Sequence, residues 1–340
     1  MRILAVRVGR VGDTVMMTPA LTAILECYAD AEITILASPE GKLLLKDFDP
    51  RVTDVWSWNR SGLKSAADEK KLRNRLKRNR FDLIFCFDTS PRIARLFENN
   101  AGQLHWFRGG TEIKHCARNY LDLVADACGC EIRDIYNNLP VKAEAREAVD
   151  EELERHGIHK SDLTVMVHPT YSGYSRFGLR KRKARTRKLW PPQSYGALGK
   201  RLAALKLADG SSPKVYIVLL PAELPFGKKI VGYSGNSILL LESQPAFDRY
   251  KAMIQRADVL LTPDSGPMHI ASALGTNIVA FFSMKDPADC GPWMDPDSFT
   301  ILRSEDTATP EKGIAAIAID TVFDACSSML DKVLRDRNAA

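Results

Sequence analysis

The chain has 340 residues, 45% of them hydrophobic and 26% charged, with a formal net charge of +6. That length exceeds what one core usually organises and makes two domains of about 150 residues each the expectation, while the balanced composition excludes a disordered or fibrous protein. No apolar run approaches the ~18 residues of a membrane span, and seven cysteines without C-x-x-C spacing exclude a sequence-evident zinc or redox motif.

The opening run, Met1-Arg-Ile-Leu-Ala-Val-Arg7, is interrupted by Arg7 and Arg10 too soon for a signal peptide, so a cytoplasmic protein with reduced thiols is expected. Apolar, β-rich runs predict strands at Ile3 to Val8, Ile33 to Ala37, Val52 to Trp56, Leu83 to Phe87 and Leu104 to Phe107, with helices such as Val15 to Tyr28 and Ala66 to Arg78 between them. Such alternation implies a parallel sheet covered by helices.

The pattern restarts after Leu139. A polar-faced helix from Ala143 to His156 leads to strands at Leu163 to Val167, Val215 to Leu220, Ser237 to Leu241, Ala257 to Leu261 and Asn277 to Phe282. Helices are expected at Tyr195 to Leu207, Gln244 to Gln255 and Pro267 to Leu274. Ile317, Val322, Phe323, Met329 and Val333 recur at helical spacing and predict a terminal helix from Ile314 to Arg335. The expected organisation is therefore one α/β domain over 1–140, a second over 141–310, and a terminal helix in 311–340 packing back on the body.

Residues with chemistry gather where strands should end. After the first strand, Arg7-Val-Gly-Arg-Val-Gly-Asp13 allows a tight turn and sets Asp13 at the carboxyl edge of the sheet, as a helix cap or as a ligand-facing acid. A dinucleotide fingerprint fits less well, because Gly9-x-x-Gly12 lacks the third glycine and a later acid. His168-Pro-Thr170 closes the first strand of the second half. Lys188-Leu-Trp-Pro-Pro192 follows, with Lys188 either solvated or reaching over the same edge as Thr170. Glu223, in Pro221-Ala-Glu223, is either a surface acid or a holder of a ribose hydroxyl.

The turn Thr262-Pro-Asp-Ser-Gly-Pro-Met-His269 carries the plainest signal. Ser265 and Gly266 let backbone N–H groups approach a ligand, Pro267 suits a helix start, and that start bears roughly half a positive charge. A phosphate is its natural guest.

In order and spacing these motifs resemble glycosyltransferase family 9, the bacterial lipopolysaccharide heptosyltransferases. The resemblance rests on Gly12-Asp13 with Thr18-Pro19-Ala20-Leu21, on Lys188-x-Trp190-Pro191, and on Asp264-Ser-Gly-x-x-His269 followed by Asp286-Pro287 and Gly291-Pro292. It implies an α/β GT-B fold, two Rossmann-like parallel-sheet domains facing across a cleft, the first binding the acceptor and the second a nucleotide sugar. It further implies inverting transfer of heptose from ADP-heptose to a lipopolysaccharide inner-core acceptor, with no metal and no cofactor beyond the nucleotide-sugar co-substrate. By position, Asp13 would be the general base. Thr170, Lys188, Ser265 and Gly266 would hold the diphosphate, Asp264 and His269 would lie beside the sugar, and Glu223 would hold the ribose. Arg10, Arg92 and Arg95 are the candidates to hold an anionic glycolipid acceptor, with Arg108, Lys114 and Arg118 as possible additions; a plain solvated face is the competing reading of the pair Arg92 and Arg95.

Chemistry supports a metal-free site on its own terms. A leaving diphosphate needs its growing charge stabilised, which a lysine and a helix N-terminus can do, and no Asp-x-Asp pair lies near either expected site. The same fold with another nucleotide sugar or a protein acceptor, and a non-catalytic nucleotide-sugar-binding protein, are the competing functions.

Between Tyr171 and Lys188 lie eight cations, Arg176, Arg180, Lys181, Arg182, Lys183, Arg185, Arg187 and Lys188, and no acid, so the rest of the chain sums to 6 − 8 = −2. The segment is a solvated loop, a contact for anionic membrane or acceptor on the inner face of the cytoplasmic membrane, or a nucleic-acid surface. Its aromatics form no stacking platform, so no nucleic-acid partner is expected.

Overall fold

The computed structural model describes the chain except residues 61–64, 98–101, 110–113, 172–173, 175–186, 243–245 and 340. The chain divides into two compact units, Met1–Pro140 with Ala288–Trp293, and Val141–Pro287 with Met294–Ala340.

The first unit carries a parallel sheet of β1 (Arg2–Arg7), β2 (Glu32–Ala37), β3 (Val52–Ser57), β4 (Leu83–Cys86) and β5 (Gln103–Trp106), in the order β3-β2-β1-β4-β5. Ile3, Leu4, Ala5 and Val6 are fully buried, as expected of a central strand covered on both faces. The sheet reverses winding between β1 and β4, the place where open α/β sheets offer a ligand site. The expected helix from Val15 to Tyr28 is instead two, Val11–Val15 and Thr18–Cys27. Pro19 lies in the first turn of the second helix, a position proline tolerates and a helix interior does not.

Residues Ala288–Trp293 belong to the first unit through specific contacts. The Trp293 ring stacks on His115 with centroids 4.7 Å apart, and its indole N–H donates to the Ile135 carbonyl at 2.7 Å. The Asn137 N–H donates to the Trp293 carbonyl at 3.1 Å. The chain thus crosses between units more often than a single boundary at 140 implies.

In the second unit β6 (Thr164–Val167), β7 (Lys214–Leu219), β8 (Leu239–Glu242), β9 (Val259–Pro263), β10 (Asn277–Phe282) and β11 (Phe299–Arg303) form a parallel sheet ordered β11-β10-β9-β6-β7-β8. Its winding reverses between β6 and β9. Strand β8 begins two residues later than the sequence suggests, because Gly235 and Asn236 take positive φ values of 62° and 64° to close the preceding helix. The expected terminal helix is also divided. Gly313, at φ 64°, belongs to a 3₁₀ stretch over Pro310–Ala316, and the helix proper is Ile319–Ala339. Its Val322, Cys326, Met329, Leu330, Val333 and Leu334 join one core with Trp190, Tyr195 and Phe281. Among the described residues no single helix is long and apolar enough to cross a membrane.

Candidate functional site

In the first unit the reversal point is occupied by charge. Arg7, the last residue of β1, donates to Asp13 Oδ1 at 2.7 Å, to Asp88 Oδ2 at 3.2 Å and to the Tyr120 hydroxyl at 3.1 Å. Arg60 donates to the same Asp88 oxygen at 2.9 Å. Burial opposes the Arg7 charge, but Tyr120, Asp13 and Asp88 outweigh it and hold its pKa above the usual arginine value. Asp13 Oδ2 accepts the Arg10 backbone N–H at 2.8 Å; Arg10 is the N-cap of the Val11–Val15 turn, and Asp13, at its third position, reaches back to it. The Asp13 side chain remains 31% exposed. A Cβ at Gly9 would lie 2.5 Å from that of Asp13, so only glycine lets the loop pass over this carboxylate.

Sequence reasoning missed Arg7, Arg60, Asp88 and Tyr120 as the frame of Asp13. The signal was present: an arginine ending an apolar strand and an acid following another both require partners once buried.

The expected acceptor arginines are spread out. Arg10 is exposed, three residues past the end of β1, as the N-cap of the Val11–Val15 turn. Arg92 sits on the single turn Pro91–Ala94 and pairs with Glu69 at 2.7 Å, and Glu69 also takes Arg73. Arg95 is exposed at the end of that turn. Arg118 is engaged by Asp122 and Asp134, Lys114 by Asp122, and Arg108 lies over the Trp106 ring.

In the second unit the donor candidates converge beyond three adjacent strands, β9, β6 and β7. Past β6, the buried Thr170 hydroxyl donates to Glu223 Oε1 at 2.7 Å and lies 3.1 Å from His168 Nε2. His168 Nδ1 meets the Tyr250 hydroxyl at 3.0 Å. Burial pushes the His168 pKa down to about 4 and raises that of Glu223, the latter against the Thr170 and Leu220 hydrogen bonds. Glu223, on the 3₁₀ turn Pro221–Glu223 after β7, is 8% exposed and bonded inward. His168 and Tyr250 were not singled out as site residues by sequence reasoning; the polar His168 directly after a fully buried strand was the available clue.

Past β9, Lys188 Nζ donates to Asp264 Oδ2 at 2.8 Å, the lysine 24% and the acid 15% exposed. Its position is set by Trp190, which is 1% exposed and donates through its indole N–H to the Ile317 carbonyl at 2.9 Å. Gly313 approaches the backbone of Arg187 so closely that a Cβ there would lie 2.3 Å from the Arg187 oxygen. Ser265 is the extended N-cap of the helix Gly266–Leu274, Pro267 lies in its first turn, and the Ser265 and Thr262 hydroxyls are 3.0 Å apart. His269, on the same helix, is 5% exposed. A helix start, a lysine and a hydroxyl on one sheet edge can bind a diphosphate and stabilise charge on it.

Arg176 through Arg185, most of the basic stretch, lie outside the described residues; Arg187 and Lys188 are half-buried. Asp-x-Asp spacing does occur at Asp47-Phe-Asp49 and Asp295-Pro-Asp297. Asp49 pairs with Arg51, and Asp295 caps a short turn by accepting the Asp297 N–H.

Residues 70–317 match the model of glycosyltransferase family 9 (heptosyltransferase). A 54-residue stretch is 33% identical to the lipopolysaccharide core heptosyltransferase OpsX of Haemophilus influenzae, a match that spans 16% of either chain. Among solved structures, a glycosyltransferase family 9 protein of Veillonella parvula aligns over 97% of both chains at 17% identity with a TM-score of 0.80. The Escherichia coli ADP-heptose lipopolysaccharide heptosyltransferase II aligns over 99% of this chain and 100% of its own, at 18% identity and a TM-score of 0.75. The fold is shared with these GT-B proteins.

Proposed function

The chain belongs to glycosyltransferase family 9, and on that premise we propose that it is an inverting, metal-independent heptosyltransferase that moves heptose from ADP-heptose to a lipopolysaccharide inner-core acceptor in the cytoplasm. The observation that carries the reading is the β9 edge, where the Asp264-Ser265-Gly266 turn opens a helix and Lys188 reaches Asp264 at 2.8 Å.

In the proposed reaction Asp13 takes the proton of an acceptor hydroxyl. That oxygen attacks the anomeric carbon from the face opposite the diphosphate, the bond from the anomeric carbon to the diphosphate oxygen breaks, and ADP leaves with its electron pair. Base assistance of this kind is typically worth about 10²–10⁴ in rate. Lys188 and the N–H groups opening the Gly266–Leu274 helix neutralise the charge that grows on the departing phosphate, doing electrostatically what a divalent ion does elsewhere. Thr170 adds a hydroxyl to the diphosphate site, and Asp264 and His269 border the sugar. Glu223 holds the ribose once nucleotide draws its carboxylate away from Thr170. Arg10, Arg92 and Arg95 attract the anionic glycolipid, and the stretch 176–188 contacts the anionic membrane that carries it.

The test is to incubate the chain with ADP-heptose and an inner-core acceptor in the presence of a chelator. Release of ADP with heptosylated acceptor is expected. Binding of ADP-heptose without turnover would indicate a non-catalytic nucleotide-sugar-binding protein. Turnover confined to a UDP- or GDP-sugar in a thermal-shift and transfer screen would move the donor assignment.

A further inference from the structure

Cys128-Gly-Cys130 is too tight to read as a metal motif in sequence, but the fold adds a third sulfur. Cys27 ends the Thr18–Cys27 helix and Cys128 ends the Cys116–Cys128 helix. Gly129 then takes the left-handed conformation at φ 65°, and the Cys130 N–H turns back to the Ala125 carbonyl at 3.3 Å. That cap returns Cys130 to the side of Cys128 and brings both to Cys27. The three Sγ atoms lie within 4.8 Å of one another, and those of Cys27 and Cys130 are 3.8 Å apart. Tetrahedral zinc with bonds to sulfur of about 2.3 Å places its sulfurs about 3.8 Å apart, whereas a disulfide requires about 2.05 Å.

We propose that Cys27, Cys128 and Cys130 form a binding site for a thiophilic d¹⁰ cation of the zinc class, with a solvent-facing fourth position. The surroundings suit a cation. Two helix C-termini, each with partial negative charge, converge at the sulfurs, and neither helix has a basic residue in its last turn. Thiols ligate a cation as thiolates, so binding must release their protons. Each ligating thiol gives its proton to the buffer as its sulfur lone pair takes the cation, and affinity rises with pH. Cys27 and Cys130 are exposed, which leaves the ion an entry path.

The cation acts as a clamp and takes no part in transfer. It joins the helix that follows Asp13 to the helix carrying Tyr120, whose hydroxyl receives Arg7. The clamp is independent of the proposed donor and acceptor, so its failure leaves that reading intact.

Cobalt(II) is the probe, added to the reduced full chain under argon and then displaced by zinc(II). Expected are a sulfur-to-cobalt charge-transfer band saturating near one equivalent, its loss on zinc addition, and its loss in Cys27→Ser and Cys130→Ser but not in Cys116→Ser. No such band from folded native chain, or a band retained in the Cys27→Ser/Cys130→Ser double variant, overturns the proposal. A second measurement needs no variant: zinc should shield Cys27 and Cys130 from alkylation as read by peptide mass spectrometry. Equal labelling with and without zinc, or conversion of the pair to a disulfide while zinc is present, overturns it as well.

Discussion

The two sheet edges hold their site residues by different physics. In the first unit Asp13 and Asp88 are held by guanidinium groups: Arg7 reaches both, and Arg60 reaches Asp88 again. In the second, Glu223 is held by a hydroxyl within a run of uncharged partners, Thr170, His168 and Tyr250, and among the described residues Lys188 and Asp264 supply the ion pair beside them. A fixed positive charge suits an acid that must stay oriented at a partly exposed edge. At the second edge Thr170 and Glu223 are buried and His168 and Tyr250 half-buried, and their hydrogen bonds can be exchanged without breaking an ion pair at every position. The difference also sets what each edge tolerates, because an ion pair that loses one partner strands the other, whereas a neutral bond lost costs much less.

Arg7→Met breaks the comparison most sharply. It leaves the buried Asp88, 3% exposed, with Arg60 as its remaining guanidinium and Asp13 unclamped. Stability measured by urea denaturation should fall by about 3 kcal/mol; a loss below about 1 kcal/mol means that the ionic frame is not what holds this edge.

The opposite edge should show its character in pH. The folded His168 pKa of about 4 lies below the unfolded value of about 6.5. Its neutral form is the one the fold accepts, so its contribution is complete above about 6.5 and is lost as pH falls toward 4, on the order of 2–3 kcal/mol. His115 is shifted in the same direction by burial and adds to the slope. His168→Gln should flatten the acid limb of a stability-against-pH curve, and an unchanged limb would place the slope elsewhere.

Lys188→Ala removes the one cation of the ion pair at that edge. ADP affinity by calorimetry should drop by about 1.5–3 kcal/mol, the range for a hydrogen bond to a charged group. Equal affinity removes Lys188 from the donor site. Thr170→Val should have the smallest effect, near 1 kcal/mol of stability with a modest loss of ADP affinity, since Glu223 keeps the Leu220 N–H at 3.3 Å. A loss as large as that of Arg7→Met would erase the distinction between the edges.

Much of this was legible in the chain. Apolar, β-rich runs located ten of the strands, most plainly β1, β9 and β10, whose central residues are buried on both faces of a parallel sheet and leave little room for polar side chains. Strand β11 was missed; its residues, Phe-Thr-Ile-Leu-Arg, are all half-buried and give a weak apolar signal. The helix Cys116–Cys128 was missed although Ala117, Tyr120, Leu121 and Val124 form a buried stripe at helical spacing. The Asp264–His269 turn was legible as a helix start because Gly266 and Pro267 open the helix after an apolar strand. What no local pattern could reveal was long-range pairing. Arg7 meets Asp88 across 81 positions, Thr170 meets Glu223 across 53, and Cys27 meets Cys130 across 103, each joined only by the order of strands or the packing of helices.

Asp13 remains the residue on which the proposed chemistry turns. The most direct measurement is transfer from ADP-heptose by Asp13→Asn, run beside calorimetric titration of the same variant with ADP. Asparagine has one acceptor oxygen, enough for the Arg10 N–H but not also for Arg7, which keeps Asp88 and the Tyr120 hydroxyl, so the fold should be retained and the proposed donor site, carried by the other unit, left intact. Transfer should fall by at least ~10²-fold with ADP affinity unchanged; turnover equal to that of the native chain would contradict the assignment of Asp13 as the base.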